Sequence, residues 1–225
     1  MSDDTPYTCS EYFRDEVKAN LGKFTSIEAA DPQLRRASVA LVIADVGLGA
    51  DIEGINNPKE WSSDSAIFLT RRSASLRNHP GQWALPGGKL EAGETDVECA
   101  LRELEEEVGV VISPENVLGS LDDFVTRSGF SMKPIVIWGG KGLQTQINPN
   151  EVASLHRIPV SEFLRPDAPR LTNVDTSKFP VLRMPVGKEF IAAPTAAILY
   201  QFREVCVLDR PTRVAHFEQP RFAWE

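Results

Sequence analysis

Residues 88–110 constrain the fold more than any other stretch, because they specify one helix, both of its ends and the face it buries. Thr95 stands where an N-cap residue belongs and Glu98 follows three places later, the reciprocal pattern that satisfies free donors at a helix start. Val97, Leu101, Leu104 and Val108 recur at spacings of three and four, which makes an apolar stripe. Gly109 follows where a left-handed residue closes a helix. On the same helix Glu103, Glu106 and Glu107 stand at i, i+3 and i+4, so their carboxylates share a face. Three crowded anions repel one another. Hard cations such as Mg²⁺ or Mn²⁺ relieve that repulsion, and carboxylate oxygens are the donors those ions prefer. A plain solvated acidic face is the competing reading of a bare Glu run, but the flanks argue against it. Glu94 and Arg102 bracket the acidic turn and can pair, holding the loop that contains Gly88 against the helix.

The remaining periodicities place strands on either side of this helix. Residues 37–46 (ASVALVIADV) and 65–73 (SAIFLTRRS) read as strands from their β-branched, apolar content, with a Gly-, Asn- and Pro-rich loop between them. Further strands are expected at 116–125, 131–139 and 151–158, a short helix near 160–165, strand or loop at 184–193, and a helix at 195–206. Residues 10–22 form an amphipathic helix ahead of the core. Strands before and after a central helix, with a terminal helix behind, fit an α/β/α sandwich around a mixed sheet. At 225 residues the chain suits a single domain, with its core at about 37–206 and a tail from 207 to 225.

With every defined position filled, Gly88, Glu94, Arg102, Glu103, Leu104, Glu106, Glu107, Gly109 and Val110 resemble the Nudix box, G-x5-E-x7-R-E-U-x-E-E-x-G-U with U apolar. The resemblance implies a Nudix-type α/β/α fold and a hydrolase that cleaves the diphosphate link of a nucleoside diphosphate derivative with water and a divalent metal. It assigns Glu103, Glu106 and Glu107 to the metal, together with a backbone carbonyl of Gly87 or Gly88. Arg102 pairs with Glu94 to orient those ligands. The general base is one of the box glutamates, such as Glu106, or a glutamate from a distant loop, for which Glu151 is the candidate. A structural role for Glu151 at a strand start stands beside that reading.

The segment ahead of the box, Leu69-Thr70-Arg71-Arg72-Ser73 through Leu76-Arg77-Asn78-His79 to Gln82 and Pro86-Gly87-Gly88, is similar to the one that marks the coenzyme A diphosphatase branch of that family. So are residues 125–130, 148–152 and 194–199. The likeness implies that Arg72, Arg77, His79 and Gln82 bind substrate, with Arg77 sensing the 3′-phosphate of coenzyme A. Arginine forks suit phosphate dianions. Arg71 lies outside the pattern, and its alternative reading is a basic strand end that neutralises the box carboxylates. Trp83, Leu85 and Ala192-Ala193-Pro194 depart from the branch pattern at places that shape the pocket.

A net charge of −8 argues against a general nucleic-acid binder and requires a local basic patch for any polyanionic substrate. The partner implied is a small nucleotide. Three widely spaced cysteines in no ligand spacing read as free thiols, and no apolar run suffices to cross a membrane, so a cytoplasmic setting is expected. The polar, proline-broken tail with its aromatic end is read two ways, as an arm laid over a second copy in a homodimer or as a frayed terminus. Rival readings of the chain are a Nudix hydrolase for ADP-ribose or a dinucleotide, and a catalytically silent nucleotide sensor, which would normally lack a box carboxylate.

Overall fold

In the computed structural model, which describes residues 7–175 and 177–219, the apolar run beginning at residue 37 becomes β1 (Arg35–Gly47), buried from Ala37 to its end. A strand buried along its whole length has layers above and below it. Its even positions Ala40, Val42 and Ala44 pack with Phe68 against Leu104 and Val108 of α2 (Asp96–Val108). The odd positions Val39, Leu41 and Ile43 share the other core with Phe13 and Val17 of α1 (Glu11–Lys23) and Leu199 of α4 (Thr195–Phe202). This is the α/β/α sandwich expected.

The sheet is mixed, and the way β1 changes partners creates the cleft described below. Along one edge β1 pairs in parallel with β7 (Phe130–Gly140), from Arg35 opposite Phe130 to Ala44 opposite Gly140. Along the other edge it pairs antiparallel with two strands in turn. Residues 43–47 meet β2 (Ser62–Arg72), and residues 37–39 meet β4 (Gly87–Lys89). With its opposite edge taken by β8 (Val152–Pro159) from Ala66 to Arg72, the far end of β2 turns from β1 to β3 (Trp83–Ala84). Between these diverging pairs the sheet opens.

Several boundaries differ from the expectation. Residues 116–125 are two strands on β7, β5 (Val117–Ser120) and β6 (Phe124–Val125), not one. The break falls where the Asp122 carboxylate, buried, accepts from the Ile27 N–H at 2.8 Å, Gln201 Nε2 at 2.7 Å and Arg213 at 2.5 Å, ties that a continuous strand would not permit. The last helix is α-helical only to Phe202 and continues as a π-helical turn, Arg203–Val207. A short helix, α3 (Val160–Phe163), precedes an antiparallel sheet of β9 (Arg170–Val174), β10 (Ser177–Val186) and β11 (Glu189–Ala192), of which only the stretch 184–193 was expected to have strand or loop character. The described part of the tail folds back on its own chain: Glu218 takes two bonds from Arg127 at 2.7 and 2.6 Å, and Gln219 donates to the Val125 carbonyl at 3.0 Å. The aromatic end of the tail lies outside the described residues, as do residues 1–6. All three cysteines are buried and unpaired, and burial pushes the thiols of Cys9 and Cys99 up to about 12 and 11. No described helix is long and apolar enough to cross a membrane.

Candidate active site

Both ends of α2 form as the spacing predicts. Thr95 Oγ1 accepts the Glu98 N–H at 3.3 Å while the Glu98 carboxylate accepts the Thr95 N–H at 2.8 Å. Gly109 closes the helix at φ 69°, and a Cβ there would stand 2.8 Å from the Gln146 carbonyl. With Leu104 and Val108 buried in the core, the residue just before each is carried to β4, Glu103 against Gly88 and Glu107 accepting from the Gly87 N–H.

Arg102 ties the box together. Its Nε and Nη2 grip the two oxygens of Glu94 at 2.8 and 3.0 Å, a bidentate fork. Its Nη1 reaches Glu103 at 2.9 Å and Glu106 at 3.1 Å, and Nη2 also donates to the Lys89 carbonyl at 3.2 Å. One guanidinium therefore joins the loop, the helix and β4. The Arg102 fork, aided by the Glu91 N–H, holds the Glu94 carboxyl down to about 2.

Carboxylate oxygens of Glu103, Glu107 and Glu151 lie within 4.8 Å of one another. Glu151 precedes β8, and its turn is fixed by the Ser73 N–H, which donates to the Glu151 carbonyl at 2.8 Å. Asn148 Nδ2 donates to Glu151 Oε1 at 3.4 Å. Glu106 stands outside this group, exposed and held by Arg102. Burial first, then the charge of Glu103, pushes the Glu107 carboxyl up to about 8, while Arg72 and the Gly87 N–H pull the other way. Burial also raises Glu103. Gly88 leaves room for this carboxylate: a Cβ there would sit 2.0 Å from Glu103 Oε1, and the Glu103 side chain would have to swing away from Arg102. The Gly88 carbonyl accepts the Cys99 thiol at 3.6 Å. Gly88→Ala should therefore displace Glu103 and weaken Mn²⁺ binding by about 10–100-fold, the range for disturbing groups that support a metal ligand. Unchanged Mn²⁺ affinity by calorimetry would refute this account of Gly88.

A cleft of about 640 Å³ adjoins the carboxylates at Arg72, Gly87 and Gly88. The predicted substrate residues Arg72, Arg77, His79 and Gln82 all line it, and Trp83, Leu85 and Pro194, where the chain departs from the branch pattern, line it too. Hydrogen bonds pinch the loop between Arg72 and Gln82 at its base, the Arg72 N–H to the Gln82 carbonyl at 3.0 Å and the Gly81 N–H to the Arg72 carbonyl at 3.0 Å. Burial and the Arg72 charge lower the pKa of His79. Arg71 turns elsewhere. It pairs with Glu189 of β11 and stacks 3.8 Å over Trp83, whose Nε1 also donates to Glu189, so it braces the loop and leaves the box carboxylates alone. Sequence reasoning missed Arg35, Lys89 and Phe130, which line the far end of the cleft. The available signal was three basic residues, Arg35, Arg36 and Lys89, at the tips of two strands in an acidic chain.

Comparison with known proteins agrees with this geometry. The NUDIX domain family matches residues 55–178. A protein of Yersinia enterocolitica named Nudix hydrolase NudL is 44% identical over 103 residues, 45% of this chain and 53% of its own, so this chain spans about half the length of that relative. The NudL protein of Pectobacterium atrosepticum is 40% identical over 154 residues, covering 64% of this chain and 77% of its own. Among solved structures, a MutT/nudix family protein from Enterococcus faecalis shares the fold at TM-score 0.50 and 17% identity, over 89% of this chain and 75% of that one. A complete box, a match over more than half of the chain and a relative of this identity place the chain in the Nudix hydrolase family.

Proposed function

We propose that the protein is a divalent-metal-dependent diphosphatase whose substrate is coenzyme A or an acyl-coenzyme A, cleaved by water to 3′,5′-ADP and a 4′-phosphopantetheine. The observation that carries this reading is the junction of two features: three carboxylates within 4.8 Å, and an adjoining cleft whose charged lining residues are all basic. Among the described residues that line the cleft there is no Asp or Glu, in a chain of net charge −8.

The carboxylate cluster fits Mg²⁺ or Mn²⁺. Its donors are hard oxygens, two of the three side chains are half-buried and Glu107 is buried, and bare anions this close repel. Glu103 and Glu107 would hold the ion, with Glu106 reaching it only on leaving Arg102. Bound there, a divalent cation neutralises phosphate charge and lowers the pKa of the attacking water. Arg102 fixes Glu103 through Nη1. Glu151, held by Asn148 at 3.4 Å, would accept the water's proton at a carboxylate oxygen, while Arg72 would meet the diphosphate and Arg77 and His79 extend the same wall of the cleft. Trp83, Leu85 and Pro194 offer apolar surface to the pantetheine or adenine end.

Coenzyme A, acetyl-coenzyme A, ADP-ribose and a dinucleotide, each incubated with Mg²⁺ and with Mn²⁺ and analysed by mass spectrometry, test the proposal. Coenzyme A or acetyl-coenzyme A should give the highest kcat/KM, with 3′,5′-ADP and the corresponding 4′-phosphopantetheine as the only products. A higher kcat/KM for ADP-ribose or a dinucleotide would sink the substrate assignment and leave the metal chemistry standing. Binding of a nucleotide with no turnover of any substrate would instead favour the sensor reading, against which the intact set Glu103, Glu106 and Glu107 argues.

A further inference from the structure

The far end of the cleft holds two cations that the diphosphate chemistry does not use. The Arg35 guanidinium lies 3.9 Å above the centroid of the Phe130 ring, and Lys89 Nζ lies 5.6 Å from the same centroid. Arg35 also donates to the Ser128 carbonyl, which fixes the plane of its fork. Among the described residues neither Arg35 nor Lys89 forms an ion pair, although neighbouring Arg36 is held by Asp96 at 2.5 Å. Two like charges converging on one ring repel, and the ring's negative face offsets only part of that cost. An anion between them would remove it.

The register says where that anion belongs. Gly88 is opposite Ser38 and Lys89 opposite Ala37, so Arg35 sits three strand residues beyond the point where cleft and carboxylates meet. At the usual strand rise this is about 10 Å, the scale of one nucleotide carrying a phosphate at each end. Arg72, by contrast, lines the cleft together with Gly87 and Gly88, at the end beside the box carboxylates.

We propose that Arg35 and Lys89, stacked on Phe130, form a phosphomonoester subsite that reads a second phosphate on the nucleoside half of the substrate, and that this pair, not Arg77, senses the 3′-phosphate. The inference rests on the diphosphatase reading for its placement but has a readout of its own. Calorimetric titration with adenosine 3′,5′-bisphosphate and with adenosine 5′-monophosphate measures it without turnover. Wild type should bind the bisphosphate about ten- to a hundredfold more tightly, the value of one or two charge-assisted contacts. Lys89→Gln and the double variant Arg35→Gln/Lys89→Gln should shrink that ratio toward one, while Arg35→Lys should restore part of it relative to Arg35→Gln and Arg77→Ala should leave it in place. The ratio of kcat/KM for coenzyme A over dephospho-coenzyme A should fall in parallel, mainly through KM. Equal affinity of wild type for the two nucleotides overturns the subsite, as does loss of the ratio in Arg77→Ala with retention in the double variant. If coenzyme A is not cleaved but the binding ratio behaves as stated, the substrate assignment fails and the subsite stands. If it is cleaved and the ratio ignores Arg35 and Lys89, the reverse holds. Lys89 is exposed, so its substitution also guards against a variant that merely misfolds.

Discussion

Glu107→Gln should abolish most turnover while leaving the fold intact, with kcat falling by about 100-fold or more, the scale of removing one placed charge from a reaction centre. Glu107 is only 6% exposed, and its carboxyl is already driven toward the neutral form by burial. Gln has the same shape and can still accept the Gly87 N–H, so no cavity and no orphaned donor results. The metal-free melting temperature should therefore hold or rise, because a buried repulsive group has gone. Cation affinity should fall. The separation of the two readouts is the point of the experiment: a variant that lost activity by unfolding would lose both together. Chelation should silence the wild-type enzyme and Mg²⁺ or Mn²⁺ should restore it. Full activity of Glu107→Gln, or of wild type in excess EDTA, would remove the carboxylate cluster from the chemistry.

The parts of this site that were legible in the sequence are those whose determinants are local. Thr95 and Glu98, Glu103 and Glu107, and Gly109 are related by helix spacings that mean the same thing in any fold. Glu151 was visible only as a candidate at a strand start. What delivers it is the β2–β8 register, with Arg72 opposite Val152, and no local pattern encodes that pairing. Arg35 and Phe130 meet through the parallel β1–β7 pairing, which again depends on the whole sheet. Most of the second sheet, β9 and the start of β10, escaped for a different reason. Four of the five residues of β9 are exposed, so the strand lacks the apolar alternation that announces one half-buried, and β10 carries Pro180 and Pro185. β3 and β4 span two and three residues, too short to show any period.

That same distinction separates a local from a cooperative role for Arg102. If the residue merely decorates a helix face, Arg102→Ala should cost under about 0.5 kcal/mol. The structure predicts more, because three carboxylates and the Lys89 carbonyl depend on one guanidinium that is itself 24% exposed. Losing the fork to Glu94 and leaving Glu103 uncompensated should cost about 2–4 kcal/mol, or about 5–15 °C in melting temperature for a chain of this size. Removing a positive charge would by itself strengthen cation binding at the nearby carboxylates. Loss of their orientation works the other way and should win, weakening Mn²⁺ binding about 10–100-fold. The sign of that change tells positioning from simple electrostatics. Glu94→Gln should overlap with Arg102→Ala, leaving a coupling of about 1–3 kcal/mol in the double-mutant cycle. Acid should erase it in a defined window. The folded Glu94 pKa lies near 2, below its ordinary 4.5, so the pair stabilises fully above 4.5 and loses its contribution as pH falls toward 2. Melting temperatures of wild type and Glu94→Gln should accordingly converge between those limits; strictly additive losses, or a gap that persists at pH 2, would show that the fork seen here carries no stability.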